Sequence, residues 1–317
     1  MPYRPALPGV CERAALVLAV DANYIRPASA LLRSIHRFRR SREPLKVIVL
    51  MQPWSRETVG QLYSAVPSRR LRLEVREARV DLGGLPLMHH LTAAAYLRLL
   101  VPALCPELDR ALYLDADMIV LRDLDDLLGC DLGGASLAAV RDLGHPYLGR
   151  RLAELPASAT RIVGLDPRRE YFNSGLLVMD LRAWRREGIT GQCLELLREH
   201  RASIRYLDQD PLNMVFAGRW FQLDQRWNVF PFTELLATGT LRYRGEQVLP
   251  RRSLPGLEAD AFAIHYVTVL KPWRPGFPPG ENLRRFERFA GDLGARRVGN
   301  YDVTRELRSG PTGHPVV

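Results

Sequence analysis

The residues best equipped for chemistry in this chain form the run Asp115-Ala116-Asp117, which follows the apolar stretch Leu112-Tyr113-Leu114. In extended backbone, positions i and i+2 face the same side, so both carboxylates can converge on one hard cation. A divalent ion held there would neutralise charge on a departing diphosphate. The competing reading is a pair of solvated loop carboxylates. Against it stands the strand that feeds them, because ligands of open α/β sheets bind outside the carboxyl ends of strands. A second constellation is His265-Tyr266-Val267-Thr268-Val269-Leu270-Lys271-Pro272-Trp273. His265 closes an apolar run and offers a nitrogen ligand to the same metal, while Lys271 can reach phosphate oxygens. A core histidine with a plain turn lysine is the alternative. Mixed oxygen and nitrogen ligation points to Mn²⁺, with Mg²⁺ the second choice.

Asp208-Gln209-Asp210 is the third constellation. Its carboxylates and amide can hydrogen-bond vicinal sugar hydroxyls or stabilise a developing cation. An aspartate followed by Pro211 at the first helical position is also a helix start, and both roles can hold together. Asp21-Ala22-Asn23-Tyr24 offers groups that could bind and stack a nucleobase, or an ordinary turn; Asp123, Asp125 and Asp126 read as a solvated acidic turn.

These residues need a frame. Ala14–Val20 and Val47–Met51 are short, bounded apolar runs, the pattern of strands buried on both faces; Leu71–Val75 is a third strand. Between them, apolar residues at 28, 31, 32, 35 and 38 keep helical spacing, and Ser55 offers an N-cap for a second helix. Thr92–Leu104 predicts a helix, Arg110 onward a strand entering the aspartates, Tyr171–Asp180 a turn and a buried strand. A helix near Cys193–His200, a late strand at Ala261–Tyr266 and an amphipathic segment at Leu283–Phe289 follow. Alternating strands and helices imply an α/β fold with a mainly parallel sheet.

At 317 residues, 47% hydrophobic and 25% charged, the chain has the composition of a globular protein, not of a disordered, collagen-like or disulfide-rich one. No apolar run reaches the ~18 residues of a membrane span, and no leader is legible, so a cytoplasmic protein is expected. Cys11, Cys105, Cys130 and Cys193 form no C-x-x-C, which excludes a zinc ribbon or thioredoxin-like motif and predicts reduced, buried thiols. The net charge is +10, but only Lys46 and Lys271 are lysines and the arginines are scattered, so no nucleic-acid partner is expected. Against that arginine bias, Lys271 stands out as a compact ammonium.

Taken in order, the motifs resemble those of the retaining glycosyltransferases of family 8, whose bacterial members include lipopolysaccharide galactosyl- and glucosyltransferases and whose eukaryotic relatives include glycogenin. The matching pieces are Ala19–Tyr24, Ala95–Arg98, Leu112–Asp117, Phe172–Gly175, Asp208–Asp210 with Asn213, and His265–Trp273. The resemblance implies a GT-A fold, a Rossmann-like sheet flanked by helices, that uses a UDP-sugar and Mn²⁺. It implies Asp115, Asp117 and His265 as metal ligands, and Asp21, Asn23 and Tyr24 around uridine. Ala116 would border the nucleotide, Lys271 would contact the diphosphate, and Arg98, Asn173, Asp208 and Gln209 would surround the donor sugar. Asp142 falls where the family often contacts donor or acceptor. The family often has glycine at the position of Thr268, where backbone approaches the diphosphate. The Thr268 hydroxyl then either bonds a phosphate oxygen or holds the loop further away.

The expected organisation is an irregular arm at 1–13, a glycosyltransferase domain at 14–273 and a Pro/Arg-rich extension at 274–317. In some relatives a basic, aromatic C-terminus touches membrane, which Arg284, Arg285, Phe286, Arg288 and Phe289 could do here; Glu281, Glu287 and Asp292 oppose it. The acceptor, a glycan, glycolipid or small natural product, would be read by variable loops that include Gly144–Asp166 and the C-terminal tail. Rival functions are a sugar-nucleotide nucleotidyltransferase and a non-catalytic nucleotide-sugar-binding protein. The first needs a Gly-rich loop after strand one, where this chain has Asp21-Ala22-Asn23-Tyr24. Retained carboxylates, histidine and lysine speak against the second.

Overall fold

A computed structural model describes residues 13–52, 55–66, 70–80, 85, 93–149, 166–201, 204 and 206–291. Residues 1–12 of the expected 1–13 arm, most of the acceptor loop and the tail beyond 291 lie outside the described residues. The strands are β1 (Ala14–Val20), β2 (Leu45–Met51), β3 (Leu71–Glu77), β4 (Arg110–Asp115), β5 (Met118–Val120), β6 (Leu137–Arg141), β7 (Phe172–Asp180), β8 (Phe221–Gln222) and β9 (Ala263–His265). The helices are α1 (Ile25–Phe38), α2 (Arg56–Ala65), α3 (Leu97–Leu104), α4 (Asp125–Leu128), α5 (Leu181–Glu187), α6 (Ile189–Glu199), α7 (Gln209–Phe216), α8 (Phe232–Ala237), α9 (Leu254–Ala259) and α10 (Glu281–Ala290).

Seven strands form one sheet in the order β3-β2-β1-β4-β7-β6-β8, and β5 pairs with β9 in a separate ribbon. The β3-β2-β1-β4 half is parallel, as the alternation of strands and helices requires. β7 enters antiparallel between β4 and β6, which alternation alone did not indicate. The apolar runs behave as doubly buried strands should. Leu16, Leu18 and Val20 face one core with Val47, Val49, Leu112 and Leu114, while Ala15, Val17 and Ala19 face another with Ile48, Leu50, Ala111 and Tyr113. Each fully buried side chain of this size contributes ~1.5–3 kcal/mol, so the sheet is a rigid platform for groups at its strand ends.

Local signals act where expected. Ser55 Oγ caps α2 by accepting from Thr58 N at 3.2 Å. Asp21 Oδ1 accepts from Asn23 N at 2.8 Å and opens the single 3₁₀ turn before α1. The stretch predicted from Thr92 is helical in two parts, a 3₁₀ turn over Ala93–Tyr96 and then α3. α10 is amphipathic, but its aromatic face is spent inside the fold: Phe286 and Phe289 are buried, and Arg33 donates to the carbonyls of Phe289 and Ala290. These two rings are therefore not offered to a membrane by the folded chain, while Arg284, on the exposed face, pairs with Glu281 at 3.0 Å. Among the described residues no helix is long and apolar enough to cross a membrane. Cys105, Cys130 and Cys193 are free and buried, and burial raises each thiol, with Cys130 at about 11.

Candidate active site

β4 ends at Asp115, and the chain turns through Ala116 and Asp117 into β5. Ala116 packs into the core, so the turn sends both flanking carboxylates outward. The β5–β9 ribbon then sets Met118 opposite His265, and Tyr266 N donates to Asp117 O at 3.0 Å. His265 Nε2 lies 3.3 Å from Asp117 Oδ1 and 3.7 Å from Asp115 Oδ2. The three residues bring potential ligand atoms within 4.8 Å of one another, the one such group among the described residues.

The imidazole is aimed by its neighbours. His265 Nδ1 sits 3.0 Å from Asn228 Oδ1. The Asn228 amide donates onward to Asn173 Oδ1 at 2.8 Å, so its oxygen is the end facing the ring. Asn228 Oδ1 can only accept, so Nδ1–H donates to it and Nε2 is the nitrogen turned toward the carboxylates, the orientation of a metal-ligating histidine. Asn228 was missed in the sequence, although a polar residue between Trp227 and Val229-Phe230 is a signal that could have found it. Gly175 also shapes the pocket: a Cβ there would lie 2.3 Å from His265 Cε1 and 2.7 Å from Nδ1. Gly175→Ala is expected to displace the ring, lower Mn²⁺ affinity ~10–100-fold and destabilise the fold by ~1–3 kcal/mol. Calorimetric Mn²⁺ titration and thermal unfolding would check this; wild-type affinity would show that the ring does not need the space.

Lys271 Nζ donates to Asp117 Oδ2 at 2.7 Å and to Tyr266 O at 2.6 Å. Burial alone would raise the Asp117 carboxyl, but Lys271 and His265 hold it well below the usual carboxylate range. Arg98, on α3, clamps the other acids. Its guanidinium meets Asp115 at 2.8 Å, Asp208 at 3.0 Å and Ser174 O at 2.7 Å, over the ring of Tyr113. In this structure Arg98 is thus turned toward the carboxylates that flank it.

The 208–213 segment docks onto β7. Asn213 accepts from Phe172 N at 2.8 Å and donates to Phe172 O at 2.9 Å, replacing a strand partner. Asp208 occupies the N-cap position of α7 without capping it; its carboxylate accepts from Ser174 Oγ at 2.7 Å instead. Asp210, expected as the cap before Pro211, lies inside α7 and accepts from Tyr171 OH at 2.6 Å and Tyr206 N at 3.0 Å. Gln209 is tied at both ends, accepting from Ser174 N at 2.9 Å and donating to Asp142 Oδ2 at 3.2 Å. Asp142 Oδ2 also accepts from Asn173 Nδ2 at 3.1 Å, while its Oδ1 takes Gly144 N and His145 N at 2.7 and 2.9 Å. Burial pushes the Asp208 carboxyl up to about 6, despite Arg98 and Ser174, which favour its charge.

At the end of β1, Asp21 is buried with Oδ2 unpartnered among the described residues, and Asn23 is exposed. Tyr24 contacts Trp273 edge-on at 5.6 Å. Burial and the field of Asp117, Asp115 and Asp21 push its phenol far up. Thr268 holds φ at +79°, so the loop keeps a backbone that suits glycine; for a threonine this costs about 1–2 kcal/mol. Its Oγ1 is buried without a partner among the described residues, which costs about 1–3 kcal/mol more.

Nearly all the residues singled out from the sequence therefore meet at the carboxyl ends of β1 and β4 and along β7. This is a GT-A-like α/β platform with an Asp-Asp-His cluster at its edge. The model of glycosyl transferase family 8 matches residues 15–275, and the chain belongs to that family. General stress protein A of Bacillus subtilis (strain 168) is 31% identical over 189 residues, 58% of this chain and 60% of that protein. Glycosyltransferase GlyA of Streptococcus pneumoniae serotype 4 (strain ATCC BAA-334 / TIGR4) is 27% identical over 83% of this chain but only 33% of its own length. The chain thus spans 60% or less of these relatives. Lipopolysaccharide 1,2-glucosyltransferase of Escherichia coli (strain K12) is 27% identical over 80% of this chain and 71% of its own. Among solved structures, the galactosyltransferase LgtC with donor and acceptor sugar analogs superposes with a TM-score of 0.68 at 25% identity, over 89% of this chain and 97% of that one.

Proposed function

We propose that this chain is a retaining hexosyltransferase. It moves a hexose from a UDP-sugar, UDP-galactose or UDP-glucose, to a hydroxyl acceptor and forms an α-glycosidic bond with metal assistance. The reading rests above all on the convergence of Asp115, Asp117 and His265 within 4.8 Å, bordered by Tyr24 and Lys271. Two carboxylates and an imidazole whose Nε2 faces them fit a divalent cation, Mn²⁺ before Mg²⁺. Bound there, such a cation supplies Lewis-acid neutralisation of the leaving diphosphate.

The protein's own groups carry the rest. Asp21 Oδ2, buried and unpartnered among the described residues, suits an N–H or O–H of the nucleoside, and Tyr24 with Asn23 supplies the flanking surface. Lys271 meets the diphosphate as a point charge. Asp142, Asn173 and Gln209, already bonded into one network, present the donor sugar with fixed polar groups, and Arg98 keeps Asp115 and Asp208 apart and oriented. Asp208 stabilises positive charge developing at the anomeric carbon. The Gln209 amide is a poor nucleophile and is held at both ends, so the route is front-side. The bond from anomeric carbon to UDP oxygen breaks, the acceptor oxygen bonds that carbon on the same face, and the acceptor's proton passes to the freed phosphate oxygen. A glycosyl adduct on Asp208 or Gln209, seen by intact-protein mass spectrometry, would overturn this route.

Residues 14–273 form the transferase domain in this reading, with 274–317 as its extension. The name of the Escherichia coli relative favours a cell-envelope glycan or glycolipid acceptor over a small natural product. Acceptor-free hydrolysis of a UDP-sugar panel with and without Mn²⁺ tests the reading. UDP release from one sugar, abolished by chelation, is the expected result. Absence of both UDP binding and hydrolysis would refute it, and pyrophosphate release from a nucleoside triphosphate would favour a nucleotidyltransferase.

A further inference from the structure

Two independent features coincide at one residue. Thr268 is a β-branched residue at φ +79°, where glycine would sit without strain. Its Oγ1 is one of few buried side-chain polar atoms with no partner among the described residues. Within the free protein the side chain therefore brings strain and an unmet hydrogen bond, and the structure holds no interaction that offsets either. A polar group from outside the protein would supply the missing partner.

The position says which kind of group. Thr268 lies midway along the loop between His265 and Lys271, both of which reach Asp117, Nε2 to Oδ1 at 3.3 Å and Nζ to Oδ2 at 2.7 Å. The loop is closed on itself by Lys271 Nζ to Tyr266 O, so the ammonium and the Thr268 hydroxyl belong to one short turn. Trp273, two residues past Lys271, adds a buried Nε1 that also lacks a partner among the described residues. An ammonium beside N–H and O–H donors calls for a ligand rich in anionic acceptor oxygens.

We propose that the Thr268 hydroxyl donates to a phosphate oxygen of the nucleoside diphosphate, so that a side chain does in this chain what close backbone approach would do with glycine. This rests on the nucleotide-sugar reading above. The loop then stays in its strained backbone because the ligand, not the free protein, satisfies the hydroxyl.

Calorimetric titration of UDP and of uridine, both with Mn²⁺ present, into wild type, Thr268→Val, Thr268→Ser and Thr268→Gly tests it. Thr268→Val should weaken UDP about 10-fold, the loss of one hydrogen bond to a charged acceptor, and leave uridine unchanged. Thr268→Ser should stay within about 2-fold of wild type. Thr268→Gly should melt higher, by release of strain, and bind UDP more tightly than Thr268→Val, because close backbone approach takes over part of the contact. Wild-type UDP affinity in Thr268→Val would overturn the proposal, as would an equal loss of uridine binding in Thr268→Val. Failure of wild type to bind UDP at all would instead bring down the nucleotide reading with it.

Discussion

Asp117→Ala should cut metal-dependent UDP release from a UDP-hexose by at least ~100-fold and also weaken the fold. The two effects have different origins, and a second substitution separates them. Asp117 is the counter-charge of a buried ammonium: the Lys271 and Asp117 side chains are each only 10% exposed, and Nζ meets Oδ2 at 2.7 Å. Removing one member of such a pair strands the other and costs about 3–5 kcal/mol. Asp117→Ala with Lys271→Met removes both charges and should regain most of the stability, while UDP release stays abolished. The pH dependence has a definite sign. Lys271 and His265 hold the Asp117 carboxyl below its unfolded value against the effect of burial, so its contribution is present at neutral pH and is lost as pH falls below the usual carboxylate range. The stability gap between wild type and Asp117→Ala should therefore begin to narrow only as pH falls below the ordinary carboxylate value, in urea titrations from neutral pH to about pH 3. Asp117→Ala that hydrolyses donor within a few-fold of wild type would remove the carboxylate from the chemistry.

Asp208→Asn should lose activity about 100-fold or more and gain or keep stability. Burial lifts the folded-state carboxyl from its ordinary 3.8 to about 6. The protonated form is then the comfortable one in the folded protein. That stability is fully present below the unfolded value and is lost as pH rises through about 6. Holding the charge at neutral pH therefore costs the fold up to about 3 kcal/mol, less whatever Arg98 loses when its partner changes. An amide keeps the acceptor for Ser174 Oγ without the charge. In the wild type, kcat should rise with pH through an apparent value near 6, and the residual activity of Asp208→Asn should lack that rise. Stability by urea titration near pH 7.5 should be equal or higher in the variant. A marked loss of stability there would assign Asp208 a structural role as the partner of Arg98.

Much of this arrangement is written locally. Ala14–Val20, the Val47–Met51 run and the Leu112-Tyr113-Leu114 stretch are short, bounded and apolar at every position, which is what a strand buried on both faces requires. The same logic marks Asp115 and Asp117 as strand-end groups, and the scarcity of lysine marks Lys271. Residue type and spacing carried these because strand burial, turn formation and charge are properties of neighbours in the chain. The network around Asn173 was legible only as separate pieces: Asp142, Asn173 and Gln209 each stood out, but not their bonds to one another.

Other parts depend on contacts between distant segments. The antiparallel entry of β7 between β4 and β6 turns Ser174 toward Asp208 and Gln209, and nothing in the Tyr171–Asp180 run encodes its direction. The register of β5 against β9 sets His265 opposite Met118 and so beside Asp117. Asn228 becomes the partner of Nδ1 only because the 228–229 segment runs along β9, with His265 N donating to Val229 O at 2.8 Å. The Asp210 carboxylate, read as a cap, was claimed by Tyr171 and Tyr206 once α7 docked. Residue types and spacing thus determined which groups this chain brings to a strand end and their charges. Tertiary packing decided which atoms face one another, because buried donors and acceptors must all find partners, and those partners come from segments far apart in the chain.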